Sequence, residues 1–159
     1  MTLKNGLIQI YTGSGKGKTT AAMGLGIRAV GDGLKVCMIQ FMKGRRYSEV
    51  DSLGKISGFT LVQCGRDEFV SKKNPAKIDI DLAQDGFQKA RDALNSGSYD
   101  VVILDEINVA LDFKLLTLNN VLDLVKEKPK HVELILTGRY APKELIDIAD
   151  LVTEMKEIK

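Results

Sequence analysis

One glycine-rich stretch near the N-terminus constrains the fold of this chain more than any other feature. It reads GSGKGKTT at residues 13–20, follows the apolar run at 7–11, and opens onto a helical pattern that begins at Ala21. A strand, a glycine-rich turn and a helix start in this order form a loop whose backbone N–H groups point inward and hold a polyphosphate. The stretch therefore predicts phosphate binding, with a positive charge from Lys18 and a Mg²⁺ ligand from the Thr19 hydroxyl.

The spacing of this loop departs from the usual G-x-x-x-x-G-K-[ST] pattern. Counting back from Gly17 places Thr12, and not a glycine, at the first position. Counting from Gly13 leaves the loop one residue short and adds a second lysine, Lys16. Two lysines still predict phosphate binding. The position of the phosphates along the loop need not be the one that a hydrolase uses.

Composition narrows the class of protein. A chain of 159 residues with 44% hydrophobic content predicts a single domain, residues 1–159. With 23 basic and 21 acidic residues, the net charge of +2 gives no electrostatic case for nucleic acid or a membrane surface. Cys37 and Cys64 lie outside any C-x-x-C spacing, which argues against a disulfide framework and a cysteine metal site. The N-terminus has no apolar signal region, so we expect a cytoplasmic protein.

Apolar runs and periodic segments alternate along the chain. Strands are predicted near residues 7–11, 35–41, 58–64, 101–104, 132–136 and 151–155, and helices near 21–30, 48–55, 79–94, 118–125 and 142–149. This alternation predicts an α/β fold of three layers, with a mostly parallel sheet of about six strands and right-handed crossovers. Ser48 is the expected N-cap of the second helix, and Thr117 that of the fourth.

Polar side chains follow several of the predicted strands. Asp105 and Glu106 come directly after four apolar residues, and in a phosphate-loop protein one such carboxylate holds Mg²⁺ while the other is a base or a further metal contact. Arg139 follows the fifth strand, where it can bind a phosphate or pair with a neighbouring acid. Gln40 and Lys43 end the second strand and face the same side, unless this segment is a solvated basic loop.

Other candidate residues are less informative. His131, the single histidine, precedes the fifth strand and so lies at the opposite edge of the sheet, which leaves no Ser/His or Cys/His catalytic pair. Phe69 is an aromatic residue in a polar loop, and the sequence alone does not distinguish packing onto the core from binding a ligand.

Four motifs, taken in order and spacing, resemble the phosphate-loop type of ATP:corrinoid adenosyltransferase. They are residues 12–20, QFMKG at 40–44, VILDE at 102–106 and LTGR at 136–139. The resemblance covers nearly the whole chain and implies a RecA-like nucleotide-binding fold, commonly homodimeric. It implies transfer of the 5′-deoxyadenosyl group of ATP to a cobalt(I) corrinoid, with release of triphosphate, for adenosylcobalamin synthesis or salvage. A flavoprotein reductase is a candidate partner.

The resemblance also implies roles for individual residues. Those expected to act in catalysis are Lys16, Lys18, Glu106 and Arg139. Those expected to bind Mg²⁺ or Mn²⁺ are Thr19, Asp105 and Glu106. Those expected to bind ATP or the corrinoid are Gly13, Ser14, Gly15, Lys16, Gly17, Lys18, Thr19, Thr20, Gln40, Lys43 and Phe69.

Two features bear on the corrinoid. Family members often carry a tryptophan that, together with a phenylalanine, presses on the lower face of the corrinoid. This chain has no tryptophan, and Phe69 is the nearest candidate for the aromatic role. Because cobalt(I) is itself a strong nucleophile, the absence of a protein nucleophile agrees with this chemistry.

Three other functions stay open from the residues alone. A phosphate-loop NTPase or kinase would use Glu106 to activate water or a substrate hydroxyl and would release ADP. A non-catalytic carrier would bind ATP or a corrinoid without turnover. A RecA-like nucleic-acid motor is disfavoured by the nearly balanced charge and by the short chain.

Overall fold

The computed structural model describes residues 3–45 and 47–159. Met1, Thr2 and Arg46 of the predicted domain 1–159 lie outside the described residues, and the single-domain assignment stays a prediction.

Within the described residues, six strands form one sheet: β1 (Ile8–Thr12), β2 (Val36–Phe41), β3 (Phe59–Cys64), β4 (Val101–Asp105), β5 (Glu133–Thr137) and β6 (Leu151–Glu154). Their order is β3-β2-β4-β5-β1-β6, and every pairing between neighbours is parallel. The predicted number of strands is confirmed, and the sheet is wholly parallel. β2 and β4 are buried along their whole length, as expected for strands covered on both faces.

Across residues 3–45 and 47–159, six helices accompany the sheet. They are α1 (Lys18–Gly31), α2 (Ser48–Leu53), α3 (Lys77–Asn95), α4 (Ile107–Asp112), α5 (Leu118–Lys126) and α6 (Lys143–Ile148). α1 and α2 pack on one face of the sheet together with Met38, whereas α3 to α6 pack on the other face together with Ile39. The side chains of neighbouring strand residues thus pack into two cores on opposite faces of the sheet, which confirms the three-layer α/β prediction.

The structure corrects two predictions about helices. Ser48 is the first helical residue and not the N-cap; Tyr47 takes the cap position, and its side chain makes no capping hydrogen bond. α4 was not predicted, because its sequence INVALD follows a buried strand directly and its apolar residues show no clear period. The predicted cap of α5 is confirmed, since Thr117 Oγ1 accepts a hydrogen bond from the backbone N–H of Asn120 at 3.4 Å.

The parallel arrangement positions the site. All six strands run in the same direction, so the segments that follow β1, β2, β4 and β5 meet at one edge of the sheet. β5 lies between β1 and β4, and its last residue, Thr137, is in register with Tyr11. Within the described residues, no helix has the length and the apolar character that crossing a bilayer requires.

Candidate functional site

The glycine-rich loop joins β1 to α1 and is held against the segment that follows β6. Gly13 and Gly17 have φ angles of 101° and 105°, which non-glycine residues rarely adopt. The backbone N–H of Gly15 donates to the carbonyl of Met155 at 2.8 Å, and the N–H of Met155 donates to the carbonyl of Thr12 at 2.8 Å. The loop therefore depends on a strand that lies far away in sequence.

Lys18 is the first residue of α1 and is buried. Its Nζ donates to the carbonyl oxygens of Gly13 at 2.9 Å and Gly15 at 2.6 Å, so the loop backbone surrounds the Lys18 ammonium group. Burial lowers the pKa of Lys18, and the charge of Arg139 lowers it further, while the Glu106 carboxylate opposes both effects.

The Asp105 carboxylate is the centre of the site. It is completely buried at the end of β4. Among the described residues, four side chains donate hydrogen bonds to it: Thr19 Oγ1 at 2.7 Å, Thr137 Oγ1 at 2.7 Å, Gln40 Nε2 at 3.1 Å and Lys43 Nζ at 2.8 Å. A buried carboxylate is costly unless it is paired and hydrogen-bonded, and here each oxygen accepts two hydrogen bonds, from donors in α1, β2, β5 and the loop after β2.

Glu106 follows Asp105 in a left-handed backbone conformation, with a φ of 63°, at the N-cap position of α4. Its backbone N–H donates to Thr137 Oγ1 at 3.0 Å. Burial is the main cause that raises the pKa of Glu106, and the negative charge of Asp105 adds to it. The charges of Lys43, Lys18 and Arg139 act in the opposite direction.

A cavity of about 520 Å³ opens above the loop and is lined by Gly15, Lys16, Gly17, Lys18, Thr19, Thr20, Glu106, Val109 and Arg139. It brings together the two loop lysines, one arginine and one carboxylate from three separate parts of the chain. A second cavity, of about 320 Å³, lies on the other side of Arg139 and is lined in part by Gly13 and Ser14. The arrangement suits a polyanion that runs along the loop.

Arg139 is exposed and follows Gly138, whose φ is 128°. The buried Asn108 of α4 donates from Nδ2 to the carbonyl of Gly138 at 3.1 Å and so fixes the turn that presents the arginine. Sequence reasoning missed both Asn108 and Thr137. A single polar residue inside the apolar run of α4, and a threonine at the end of a buried strand, were the available signals.

Gln40 and Lys43 lie beside Asp105 in different ways. Gln40 is completely buried, and its Oε1 accepts a hydrogen bond from Gln63 Nε2 at 3.1 Å. This bond fixes the Gln40 amide that donates to Asp105. Lys43 keeps 21% of its side chain exposed, and its Nζ lies 3.5 Å from Thr19 Oγ1. The assignment of both residues to ligand binding stays a prediction.

Phe69 is fully exposed on the loop between β3 and α3 and does not pack onto the core. It lines a cavity of about 210 Å³ next to the Asp105 cluster. The residues around this cavity are Met42, Lys43, Gly44, Arg45, Tyr47, Arg66, Asp67, Glu68, Phe69, Val70 and Phe113. Lys43 reaches both this cavity and Asp105, so the two places adjoin.

The donor set at Asp105 fits a hard divalent cation. Thr19 Oγ1 bonds to Asp105 and lines one cavity with Glu106, and oxygen ligands are those that Mg²⁺ and Mn²⁺ prefer. Residues 3–45 and 47–159 contain no group of three or more His, Cys, Asp or Glu side chains arranged to hold a metal. A cation bound by Thr19, Asp105 and Glu106 would complete its coordination with phosphate oxygens and water, which is the usual way in which Mg²⁺ is bound.

Comparison with known proteins gives a consistent result. A family model described as ATP:corrinoid adenosyltransferase BtuR/CobO/CobP matches residues 4–159. A corrinoid adenosyltransferase of Sinorhizobium sp is 35% identical over 99% of this chain and 75% of its own length. A corrinoid adenosyltransferase of Escherichia coli K12 is 34% identical over 98% of this chain and 79% of its own length.

An uncharacterized protein of Nostoc sp. is 40% identical over 96% of this chain. The chain spans only 44% of the length of that protein.

Proposed function

The chain belongs to the ATP:corrinoid adenosyltransferase family, and we propose that it transfers the 5′-deoxyadenosyl group of ATP to the cobalt(I) of a reduced corrinoid. In this reaction a cobalt–carbon bond forms with the two electrons of cobalt(I), and the bond between C5′ and its phosphate oxygen breaks. The electron pair of the broken bond leaves with triphosphate.

The observation that carries the proposal is the make-up of the 520 Å³ cavity. Its walls hold Lys16, Lys18 and Arg139, whereas none of the described residues that line it is a serine, a cysteine or a histidine. Such a wall is suited to stabilise negative charge on a departing polyphosphate. Charge stabilisation is the main task left to the protein in a reaction whose nucleophile is the second substrate.

Each group of residues has a separate task in this proposal. The loop from Gly13 to Thr20 binds the phosphates, and Lys16, Lys18 and Arg139 stabilise the charge that develops on triphosphate. Thr19, Asp105 and Glu106 hold Mg²⁺ or Mn²⁺, which when bound neutralises phosphate charge. Phe69 and the cavity beside it receive the corrinoid.

Other parts of the proposal rest on the family alone. We include among them a homodimer, a flavoprotein reductase that keeps the cobalt reduced, and a cytoplasmic location. Size-exclusion chromatography with light scattering would show whether the purified chain is a dimer.

The test combines a spectrum with a product assay. The protein is mixed with ATP, Mg²⁺ and chemically reduced cobalamin without oxygen and in the dark, and the visible spectrum is followed for the cobalt–carbon product. We expect triphosphate to appear in step with the spectral change. Unchanged spectra from a protein that binds ATP would reject the proposal, and release of ADP with phosphate would identify an NTPase or kinase.

Two variants sharpen this test. Lys18→Ala should lose ATP binding and transfer together, because its ammonium organises the loop through Gly13 and Gly15. Lys35→Ala also removes one lysine charge, but Lys35 is exposed and directly precedes β2, at the end of the strand away from the site. This variant should behave like the unchanged protein.

A further inference from the structure

Lys43 places a positive charge where the proposed metal would bind. Its Nζ is 2.8 Å from Asp105 Oδ2 and 3.5 Å from Thr19 Oγ1. Thr19 and Asp105 are the residues that the proposed function assigns to the metal. One ammonium thus occupies the space between two expected metal ligands.

We propose that Lys43 is a tethered cation that holds the metal position in the metal-free protein and leaves this position when a divalent cation binds. Lys43 then sets the affinity of the site for metal, since every binding event must break its ion pair with Asp105. The inference rests on the proposed function only in naming Thr19 and Asp105 as the metal-binding residues.

The burial of Asp105 explains why a substitute cation is needed. The carboxylate is completely inaccessible to solvent, and an unpaired charge in such a place is expensive. Of the four side chains that the structure shows bonded to Asp105, three are neutral donors and Lys43 alone is charged. Without metal, Lys43 is therefore the group that neutralises the centre of the site.

The surroundings of Lys43 explain how it can leave. Lys43 lies on the loop that follows β2, and 21% of its side chain is exposed. A lysine side chain is also long and flexible. The 210 Å³ cavity that it lines offers space on the side away from Asp105, and Asp67 and Glu68 lie on the wall of that cavity. The displaced ammonium would thus enter the cavity that Phe69 borders, so metal loading would change the charge there.

The test first measures metal binding with neither ATP nor corrinoid present and then repeats the measurement with ATP. Mn²⁺ is titrated into the full chain, and free Mn²⁺ is followed by electron paramagnetic resonance. Lys43→Gln keeps a hydrogen-bond donor for Asp105 and removes the charge, and Lys43→Met removes both. Lys35→Gln is the matched control, because it removes one exposed charge just before β2, whereas Lys43 follows β2 at the other end.

We expect both Lys43 variants to bind Mn²⁺ roughly tenfold more tightly, because a monovalent charge within a few ångströms of a divalent one is removed. Lys35→Gln should leave the affinity unchanged. In the metal-free state, both Lys43 variants should melt at a lower temperature than the unchanged protein, and Mn²⁺ should restore the difference.

Several outcomes would overturn the inference. Unchanged or weaker Mn²⁺ binding by the folded Lys43 variants would show that Lys43 supports the metal ligands and does not compete with the metal. The titration is repeated with ATP present, and absence of Mn²⁺ binding in both formats also rejects it. Lys43 variants that fail to fold even with Mn²⁺ reject it as well, because metal should then neutralise Asp105.

The two proposals fail separately. If Mn²⁺ binding follows the expected pattern but reduced cobalamin is never adenosylated, the metal inference stands and the proposed function falls. If adenosylation occurs while the Lys43 variants bind Mn²⁺ no more tightly, the reverse holds.

Discussion

Gly13 shows at the scale of one residue how closely the loop approaches the end of the chain. A methyl group on it would lie 2.3 Å from the carbonyl oxygen of Met155, and its φ of 101° is unfavourable for alanine. We expect Gly13→Ala to lower the free energy of unfolding by about 2–3 kcal/mol and to weaken ATP binding at least about tenfold. Urea denaturation and isothermal titration calorimetry measure the two effects.

Gly24→Ala is the matched control for this change. Gly24 lies inside α1 with no atom within 4 Å of an added methyl group. Alanine there should stabilise the protein by about 0.5–1 kcal/mol, because it favours the helix over the unfolded chain. Equal stability of the two variants would contradict the contact between the loop and Met155.

Phe69 allows a second prediction at this scale. Because its side chain is fully exposed, Phe69→Ala should leave the free energy of unfolding and ATP affinity unchanged. If it contacts the corrinoid, adenosyl transfer should fall about tenfold, since a lost aromatic contact is worth about 1–1.5 kcal/mol. Ile158→Ala, at another exposed apolar residue, is the control. Equal losses of ATP binding and transfer would exclude this role for Phe69.

Individual residues also show how far the site could be predicted from the sequence. The contact between Thr19 and Asp105 agrees with the motifs, because a strand-end carboxylate and a loop hydroxyl have a known relation in phosphate-loop proteins. Thr137 and Asn108 could not be foreseen in the same way. Their importance comes from neighbours about 30 residues away in sequence, and only the folded sheet brings these together.

At the scale of elements, the start of α3 is tied to the loop before it by a buried acid. Arg66 Nε donates to Asp79 Oδ1 at 2.6 Å, and the backbone N–H of Ala76 donates to Asp79 Oδ2 at 3.2 Å. The pKa of Asp79 is lowered chiefly by its hydrogen bond with Arg66. Asp79 therefore fixes the Phe69 loop to the helix while it is ionised.

We expect Asp79→Asn to lower the free energy of unfolding by about 1–3 kcal/mol at pH 7. The pKa of Asp79 is lower in the folded state than in the unfolded state, so its contribution is complete above the ordinary pKa of 3.8 and is lost as the pH falls through the lowered value. Urea denaturation at pH 7 and near pH 3 should show a smaller difference between variant and unchanged protein at low pH.

Asp81→Asn is the control for this prediction. Asp81 pairs with Lys77 on the exposed side of the same helix, so its loss should cost less than about 0.5 kcal/mol. A cost for Asp79→Asn as small as that for Asp81→Asn would show that the buried pair does not anchor the loop.

The helices were predicted unevenly. α3 and α5 have apolar residues at regular three- and four-residue spacing, and their positions followed from the sequence. α4 has only six residues and is buried on most sides, so no period distinguishes it from a continuation of β4. Its existence depends on the left-handed turn at Glu106, which local sequence does not predict.

At the scale of the whole molecule, the site joins the ends of β1, β2, β4 and β5, so a ligand there should stabilise the entire sheet. ATP at 100 times its Kd should raise the free energy of unfolding by about 2.7 kcal/mol. For a chain of this size, the melting temperature should rise by about 5–10 °C. Differential scanning fluorimetry should show this shift for the unchanged protein, and the same shift in Lys18→Ala would contradict ATP binding at the loop.

The layers and the parallel direction of the strands followed from the alternation of strand and helix, because short connections leave few other arrangements. The order β3-β2-β4-β5-β1-β6 did not follow from it. β1 is flanked by β5 and β6, the last two strands of the chain, and local patterns carry no information about such distant pairings.

The hydrogen bonds between the loop and Met155 have a consequence for how the protein folds while it is being synthesised on the ribosome. The phosphate-binding residues are made early, but the backbone partners of Thr12 and Gly15 come about 140 residues later. Until that strand has left the exit tunnel and joined the sheet, the loop lacks its support. ATP should therefore be unable to assist the early stages of folding, and nucleotide binding should begin only when β6 and Met155 have left the tunnel and joined the sheet.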